Sequence, residues 1–147
     1  MGLGGGDLLF GSIGRDTVDG GLGNDQMSGG TDTDLMLGGE GDDTLSGDDP
    51  YPNDTAGADS LYGGADADTL TGGAGADLFV AGPGAGTDRV TDFNLAQGDQ
   101  VHLEAGMTWT AAQVGADVDV SLSGGGHVIL VGISLSSIAS GPWIGVG

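Results

Sequence analysis

The sequence predicts an all-β protein in which short parallel strands stack into a solenoid, followed by a small β-rich C-terminal cap. Two observations support this prediction: a nine-residue period runs from Gly2 to Val80, and strand-like alternation of apolar and polar residues comes after it. Because one short repeat cannot bury its apolar side chain alone, a fixed period of this length is typical of stacked repeats. We therefore divide the chain into a repeat array, residues 1–80, and a cap, residues 81–147.

The repeat array contains eight units in register once the seven residues 49–55 (DPYPNDT) are set aside as an insert. The first position of every unit is glycine, the sixth is aspartate and the eighth is apolar. The three columns are Gly2, Gly11, Gly20, Gly29, Gly38, Gly47, Gly63 and Gly72; Asp7, Asp16, Asp25, Asp34, Asp43, Asp59, Asp68 and Asp77; and Leu9, Val18, Met27, Met36, Leu45, Leu61, Leu70 and Phe79. Such agreement indicates that the period reflects the structure.

Each unit is predicted to form a turn followed by a short strand. Glycines in the first half allow positive φ values that other residues avoid. The last three residues place one apolar side chain between two mostly polar ones, which predicts a three-residue strand with one buried face. Stacking then turns the apolar column inward and aligns the aspartates along the edges of the solenoid.

The insert and the cap differ from the repeats. The insert carries two prolines, which predicts an irregular surface excursion. The cap resumes the alternation, with its first apolar residues at Val90, Phe93, Val101 and Leu103. Further on, two apolar stretches flanking the loop SGGGH predict a β-hairpin with one apolar face made by Val118, Val120 and Leu122. A cap is expected because an open solenoid end exposes its core and unpaired strand edges.

Composition disfavours several classes of function. The formal charge is −20, with two arginines and no lysine, so the chain cannot neutralise a run of phosphates and has no P-loop lysine; we expect no nucleic-acid partner and no attraction to an anionic membrane. The absence of cysteine excludes disulfides, thiolate zinc sites and a thiol nucleophile. No apolar run is long enough for a membrane span.

The aspartate column is the strongest candidate for a binding site. Asp and Gly are common turn formers, so an isolated aspartate would be read as a solvated turn residue. Like charges stacked at every turn repel each other unless cations lie between them. Carboxylates and turn carbonyls are hard oxygen ligands, and Ca²⁺ accepts their irregular coordination more readily than Mg²⁺ does.

Two units, GGLGNDQMS and GGEGDDTLS, match the nonapeptide GGxGxDxUx letter for letter. Residues 2–80 therefore resemble the RTX (repeats-in-toxin, hemolysin-type calcium-binding) family. The resemblance implies a right-handed parallel β-roll, a solenoid stapled by calcium, with two nine-residue units per turn and Ca²⁺ held between loops on the same side.

The resemblance also implies a ligand set of about six or more calcium ions. Each ion takes aspartates from units two apart, which pairs Asp7–Asp25, Asp25–Asp43 and Asp43–Asp68 on one edge and Asp16–Asp34, Asp34–Asp59 and Asp59–Asp77 on the other. The implied carbonyl ligands come from Leu3, Gly5, Ser12, Gly14, Gly20, Gly21, Leu22, Gly23, Gly29, Gly30, Thr31, Asp32, Gly38, Gly39, Glu40, Gly41, Gly47, Gly57, Gly63, Ala65, Gly72 and Ala74.

Some positions depart from the family pattern. Leu3 and Ser12 replace the second glycine, and Asp32 and Asp66 replace the fourth, where they either add a ligand or strain the loop. The segment after the last repeat resembles the region that commonly succeeds an RTX array, and its candidates for further calcium are Asp88, Asp92 and Asp99. Candidates for one extra ion at the insert are Asp48, Asp49 and Asp54.

Catalytic motifs are absent from the sequence. It contains no HExxH and no GxSxG, and the two histidines, His102 and His127, are expected on strand or hairpin surfaces. An EF-hand beginning at Asp66 would have Leu70 where an oxygen ligand is required. The tryptophans Trp109 and Trp143 are expected in the core of the cap rather than on a sugar-stacking platform. We expect any catalytic activity to reside in a domain other than this one.

The expected function is that of a calcium-dependent C-terminal module in a larger, type I-secreted protein, found outside the cell or at its surface. Met1 directly precedes an in-register repeat, and the apolar tail, residues 133–147, is compatible with a secretion signal. The expected partners are calcium, an upstream domain and the type I secretion machinery. The alternative is a structural surface protein, an S-layer or adhesin end, whose self-assembly depends on calcium.

Overall fold

The computed structural model describes residues 1–48, 57–138 and 142–147. The predicted surface excursion at 49–55, together with the candidate ligands Asp49 and Asp54, lies outside the described residues. In the described part of the chain no helix is long and apolar enough to cross a membrane.

The described residues form fourteen strands and one four-residue helix. In chain order these are β1 (Leu8–Ile13), β2 (Thr17–Leu22), β3 (Gln26–Thr31), β4 (Leu35–Glu40), β5 (Thr44–Asp48), β6 (Ser60–Ala65), β7 (Thr69–Thr71), β8 (Leu78–Ala81), β9 (Thr87–Val90), β10 (Gln100–Leu103), β11 (Trp109–Val114), β12 (Asp117–Leu122), β13 (His127–Leu130), α1 (Leu135–Ile138) and β14 (Ile144–Val146).

Successive strands alternate between two sheets. The first sheet has the order β1-β3-β5-β7-β9-β13-β12-β11 and the second the order β14-β10-β8-β6-β4-β2. Within the array every pairing is parallel, as in Leu9↔Met27 and Val18↔Met36, so two nine-residue units complete one turn. The predicted parallel β-roll is confirmed.

Most strands of the array are longer than the three residues predicted from each unit, whereas β7 has the predicted three. β1 begins at Leu8 and continues through the first three residues of the next unit, where Ser12 pairs with Gly30 and Ile13 with Thr31. The first residues of a unit thus pair with the corresponding residues of the strand one full turn later. They extend the ladder of hydrogen bonds instead of ending it.

The apolar column forms the core between the two sheets. Met36, Leu45 and Leu61 are completely buried, whereas Leu9 in the first unit is only partly buried because no coil precedes it in the structure. The same core continues into the cap through Val90, Val101, Leu103, Val118, Val120 and Leu130.

The cap is built onto the ends of both sheets. β9 pairs with β7 and β10 pairs with β8, so both sheets pass without interruption from the array into the cap. The predicted hairpin is confirmed as β12 and β13, with Val118, Val120 and Leu122 buried on one face.

The aromatic residues of the cap are only partly where the sequence predicted them. Trp143 is buried and packs edge-on against Phe93 at 6.4 Å between ring centroids. Trp109, predicted in the core, is 36% exposed and contacts Trp143 from the rim at 5.5 Å. His102 and His127 lie half-buried on strands β10 and β13, with the Nδ1 atom of His127 2.8 Å from Oδ1 of Asp119.

Candidate metal-binding ladder

The sixth-position aspartates form two continuous columns, which we call the aspartate ladder. In each column the backbone N–H of one aspartate donates to Oδ1 of the aspartate one turn later. On one edge the bonds are Asp7 to Asp25, Asp25 to Asp43 and Asp43 to Asp68, each 2.8 Å; on the other they are Asp16 to Asp34 and Asp34 to Asp59 at 2.8 Å and Asp59 to Asp77 at 3.0 Å. The structure thus brings together all six carboxylate pairs named from the sequence.

The insert leaves the ladder intact. Asp34 and Asp59 are separated by 25 residues instead of 18, yet their hydrogen bond has the same 2.8 Å length as those between uninterrupted units. The extra chain is therefore accommodated outside this contact.

The ladder continues into the cap. The N–H of Asp68 donates to Oδ1 of Asp88 at 3.3 Å, and that of Asp77 donates to Oδ1 of Asp99 at 3.1 Å. Asp92 lies beside the ladder and accepts instead the N–H groups of Gly72 and Gly73. With Asp88 and Asp99 included, each edge carries five stacked carboxylates.

These carboxylates are buried and incompletely hydrogen-bonded. Eight of them are no more than 2% exposed: Asp25, Asp34, Asp43, Asp59, Asp68, Asp77, Asp88 and Asp99. Among the described residues, a buried Oδ2 atom accepts no hydrogen bond in Asp16, Asp25, Asp34, Asp43, Asp59, Asp68 and Asp77. Native proteins rarely leave a buried polar atom unpaired, since its desolvation is costly. An unpaired, buried Oδ2 atom that recurs in seven ladder aspartates indicates a bound ligand.

Burial makes ionisation of the ladder unfavourable in the absence of a cation. Desolvation, followed by repulsion from neighbouring carboxylates, raises the pKa of Asp59 and of Asp68 to about 7, although backbone N–H donors partly oppose the shift. The same causes raise the pKa of Asp77 to about 6, and desolvation raises that of Asp88 to about 6. A bound cation would reverse this balance.

The invariant first glycine is required by close packing. The positive φ values predicted in the first half of each unit occur at the second and fourth positions, such as Gly21 (+103°) and Gly23 (+108°). A Cβ on Gly29 would lie 2.5 Å from Oδ2 of Asp34 and 2.6 Å from the carbonyl oxygen of Gly47. At six of the eight first glycines, from Gly2 to Gly47, an aspartate Oδ2 and a carbonyl oxygen of the next coil both lie within 3.1 Å of that Cβ position.

Three departures from the repeat pattern are strained rather than neutral. Ser12, Asp32 and Asp66 adopt φ values of +89°, +75° and +74°, which non-glycine residues seldom adopt. The side chains of Asp32 and Asp66 are exposed. The sequence left open whether they add a ligand or strain the loop; the positive φ values show a strained backbone, and the ligand role stays a prediction.

The loop residues named as carbonyl ligands lie at the ends of strands and in the adjoining turns. The carbonyl oxygens of Leu22 and Glu40 accept the N–H groups of Gly5 and Gly23 at 2.8 and 2.7 Å, and each keeps a second lone pair. Among the described residues, no three carboxylate or imidazole side chains come together around one point. A metal bound here would therefore need backbone carbonyls as well as the ladder carboxylates.

Sequence reasoning missed a second set of contacts between the loops. Oδ1 of Asn24 accepts the N–H of Asp42 at 3.3 Å, and Oδ1 of Asp42 accepts the N–H of Ala67 at 3.1 Å. Oδ2 of Asp48 accepts the N–H of Ala74 at 2.6 Å. The first two contacts could have been predicted from the sequence, because polar residues such as Asn24 and Asp42 recur at the fifth position of the nine-residue unit.

Among known proteins and families, the match that agrees with this geometry is to a repeat family. No curated protein sequence matches the chain. The crystal structure of the extracellular lipase LipA from Serratia marcescens is similar, with a TM-score of 0.49 and 18% identity over 98% of this chain, which spans 39% of the lipase chain. The family model for the RTX calcium-binding nonapeptide repeat (4 copies) matches residues 1–36, 28–49 and 53–88. Since these matches cover more than half of the sequence, the chain belongs to the RTX calcium-binding nonapeptide repeat family.

Proposed function

We propose that this RTX calcium-binding module folds when Ca²⁺ binds to the aspartate ladder after export, and that it serves as the C-terminal folding, secretion and stabilising domain of a larger type I-secreted protein. The observation that carries the proposal is the row of buried Oδ2 atoms that accept no hydrogen bond. The module itself is proposed to be non-catalytic.

The residues of the ladder fit calcium. In six of the eight units an Oδ2 and a first-glycine carbonyl of the following coil approach the same point, as beside Gly29, where the two atoms are Oδ2 of Asp34 and the carbonyl oxygen of Gly47. Hard oxygens from a carboxylate and a backbone carbonyl suit Ca²⁺, which tolerates irregular coordination. We propose that the six sequence-predicted pairs, together with Asp68–Asp88 and Asp77–Asp99, hold the ions with the loop carbonyls. Bound calcium supplies the positive charge that stacked carboxylates lack.

Folding on binding is expected from the cost of the metal-free fold. At neutral pH the unfolded chain keeps its carboxylates ionised in water, whereas the fold buries them at pKa values as high as about 7. Ions that bind only the folded chain shift the equilibrium toward it by mass action. Affinities of about 0.1 to 1 mM, typical of extracellular calcium modules, would leave the chain unfolded where calcium is scarce and folded outside the cell.

A calcium titration followed by far-UV circular dichroism tests the folding step. The expected result is a cooperative gain of β signal that chelator reverses and that Mg²⁺ at the same concentration does not reproduce. Ala112→Ser, at an exposed position on β11 remote from the ladder, is a control that should keep the same midpoint. A chain already fully folded in chelator would refute calcium-dependent folding.

The secretion role needs a separate experiment. Export of the chain by a type I system should depend on residues 133–147, proposed as the signal region. Efficient export of a chain lacking this region would refute that part of the proposal while leaving calcium binding unaffected.

A calcium-dependent self-assembling surface protein is the alternative. The exposed apolar side chains of Leu8 and Phe10 on an edge strand are the observation that favours association. Light scattering with and without calcium discriminates between the two functions, because a calcium-folded monomer argues against assembly and large ordered particles argue for it.

A further inference from the structure

Asp48 lies outside the aspartate ladder, at the second position of the interrupted sixth unit. Glycine occupies this position in five of the other seven units, with φ values between +99° and +119°. The φ value of Asp48 is not in this left-handed region. The backbone therefore departs from the repeat at Asp48, and a carboxylate stands where the repeat normally has no side chain.

The carboxylate of Asp48 reaches the next coil on the same edge. Its Oδ2 accepts the N–H of Ala74 at 2.6 Å, one full turn later in the roll. From the other side, the carboxylate of Asp92 accepts two N–H groups of the same turn, at 3.0 and 2.8 Å. The turn 72–74 is therefore held between a carboxylate of the preceding coil and a carboxylate of the cap.

This turn contributes to one of the proposed calcium sites. Beside Gly47, Oδ2 of Asp59 and the carbonyl oxygen of Gly72 approach the same point. Asp59 is 1% exposed, its Oδ2 accepts no hydrogen bond, and its N–H donates to Oδ1 of Asp77 at 3.0 Å. The buried, unpaired Oδ2 indicates a ligand at this point independently of the acidic residues around it.

The charge of Asp48 acts on both ladder aspartates of this site. Burial is the largest cause of the raised pKa values of Asp59 and Asp77, and repulsion from Asp48 adds to both. Among the described residues, no three carboxylate or imidazole side chains meet around one point. Asp48 is therefore placed to act on a bound ion through its charge and through the turn that it holds, and not as a direct ligand.

The corresponding site on the other edge, between Asp43 and Asp68, lacks such a group. Gly39 occupies the second position there, and its backbone packs directly against that of Gly64. A carboxylate outside the ladder that acts on this pair belongs to Asp42, but its side chain is exposed, so water and salt screen its charge. The two edges of the roll therefore differ in the charge around otherwise equivalent sites.

We infer that Asp48 is a positioning residue that makes the Asp59–Asp77 site bind cations more tightly than the Asp43–Asp68 site, most of all a trivalent cation. The inference rests on the proposed function, because it concerns the affinity of one proposed calcium site. The bond to Ala74 fixes the turn that carries a carbonyl of the site. The charge of Asp48 adds to that of the two ladder aspartates, and its attraction grows with the charge of the ion.

Competition between Gd³⁺ and Ca²⁺ tests the inference. Calcium in excess keeps the module folded under the proposed function, and small amounts of Gd³⁺ then broaden the amide NMR signals close to the sites that it occupies. The amides of Asp59 and Ala74 should broaden at a Gd³⁺ concentration about tenfold lower than those of Asp43 and Ala65, their counterparts on the other edge. Equal broadening on both edges overturns the inference.

Asp48→Asn separates the charge from the hydrogen bond. The asparagine oxygen can still accept the N–H of Ala74, so the turn is kept while the charge is lost. The difference between the two edges should then fall to about twofold or less. Asp19→Asn is the matched control, because it removes the same charge from a partly exposed position on β2 outside the ladder, and it should leave the difference unchanged.

Two results with these variants overturn the inference. A preference that persists in Asp48→Asn means that this carboxylate does not set it, and a preference lost equally in Asp19→Asn means that the net charge of the chain sets it. Circular dichroism separates these results from failure of the proposed function. If calcium folds the chain and Gd³⁺ broadens both edges alike, only the inference fails; if the chain neither gains β signal with calcium nor shows broadening at any ladder amide, the proposed function fails and the inference fails with it.

Discussion

Replacing Asp43 by asparagine separates the hydrogen bonding of the ladder from its charge. Oδ1 of Asp43 accepts the N–H of Asp25, and the N–H of Asp43 donates to Oδ1 of Asp68, both at 2.8 Å. Its Oδ2 is buried without a partner. Asparagine keeps an oxygen for the first bond and places an NH₂ group where a cation would need an acceptor.

The expected loss in calcium is large because Asp43 belongs to two proposed sites. At calcium 100 times above the dissociation constant, one site contributes about 2.7 kcal/mol to the free energy of unfolding. Asp43→Asn should therefore lower this free energy by about 5 kcal/mol, if both sites fail. Asp7→Asn is the matched control, since Asp7 belongs to one proposed site at the end of the ladder; its loss should be about half.

In chelator the effect of Asp43→Asn on the free energy of unfolding should have the opposite sign. Burial raises the pKa of Asp43, so the metal-free fold is penalised by this carboxylate at neutral pH. Asparagine removes that penalty without removing volume. The metal-free variant should be as stable as the parent chain or more so, although its calcium-bound form is less stable.

Denaturant unfolding followed by circular dichroism, in calcium and in chelator, measures both effects. Two results would refute the reasoning: equal losses for Asp43→Asn and Asp7→Asn in calcium, which would exclude shared ligands, or a large loss for Asp43→Asn in chelator, which would mean that its charge stabilises the metal-free fold.

Further predictions concern pH, close packing and the core. Because the folded-state pKa values of Asp59 and Asp68 are raised from 3.8 to about 7, the stability of the metal-free fold should fall as pH rises from about 4 to about 7; a stability in chelator that does not change over this range would contradict this. Gly29→Ala should cost about 1 to 3 kcal/mol by overpacking, whereas Gly124→Ala, whose Cβ would meet nothing closer than 3.8 Å, should be close to neutral in thermal denaturation with calcium. Leu45→Ala, at a completely buried position, should cost about 2 to 5 kcal/mol in urea unfolding, and a loss below about 1 kcal/mol would show that the core is loosely packed there.

The fold could be predicted because the same pattern of glycine, aspartate and apolar residues recurs in all eight units. An apolar residue at the eighth position and a fixed period predict stacked coils with an apolar core, and the resemblance to the RTX family implies the two-unit turn that brings Met36 opposite Leu61. Strand length could not be derived in the same way. Glycine has no strand preference of its own, and only the partner one turn later keeps Ser12 and Ile13 in the ladder.

The candidate site was predictable where it is periodic and less so where it is not. Asp88 and Asp99 follow their ladder partners by 20 and 22 residues, so no nine-residue column contains them, and their burial depends on where β9 and β10 join the sheets. Asp92 lies in the same segment with similar neighbours in sequence, yet it binds the N–H groups of Gly72 and Gly73 instead of extending the ladder.

The glycine and aspartate columns are two parts of one constraint. The first glycine has no Cβ because Oδ2 of the aspartate five residues later and a carbonyl of the next coil occupy that space, as at Gly29. Moving the coils apart to admit a side chain would break the bond from each aspartate N–H to Oδ1 of the next, such as Asp16 to Asp34. The close stacking that this bond requires also brings unpaired oxygens together, and that arrangement is stable at neutral pH only when a cation neutralises them. Substitutions in either column should therefore be coupled, with Gly29→Ala combined with Asp34→Asn costing less than the sum of the two single variants in calcium. Strict additivity of the two variants would show that close packing and metal binding are independent.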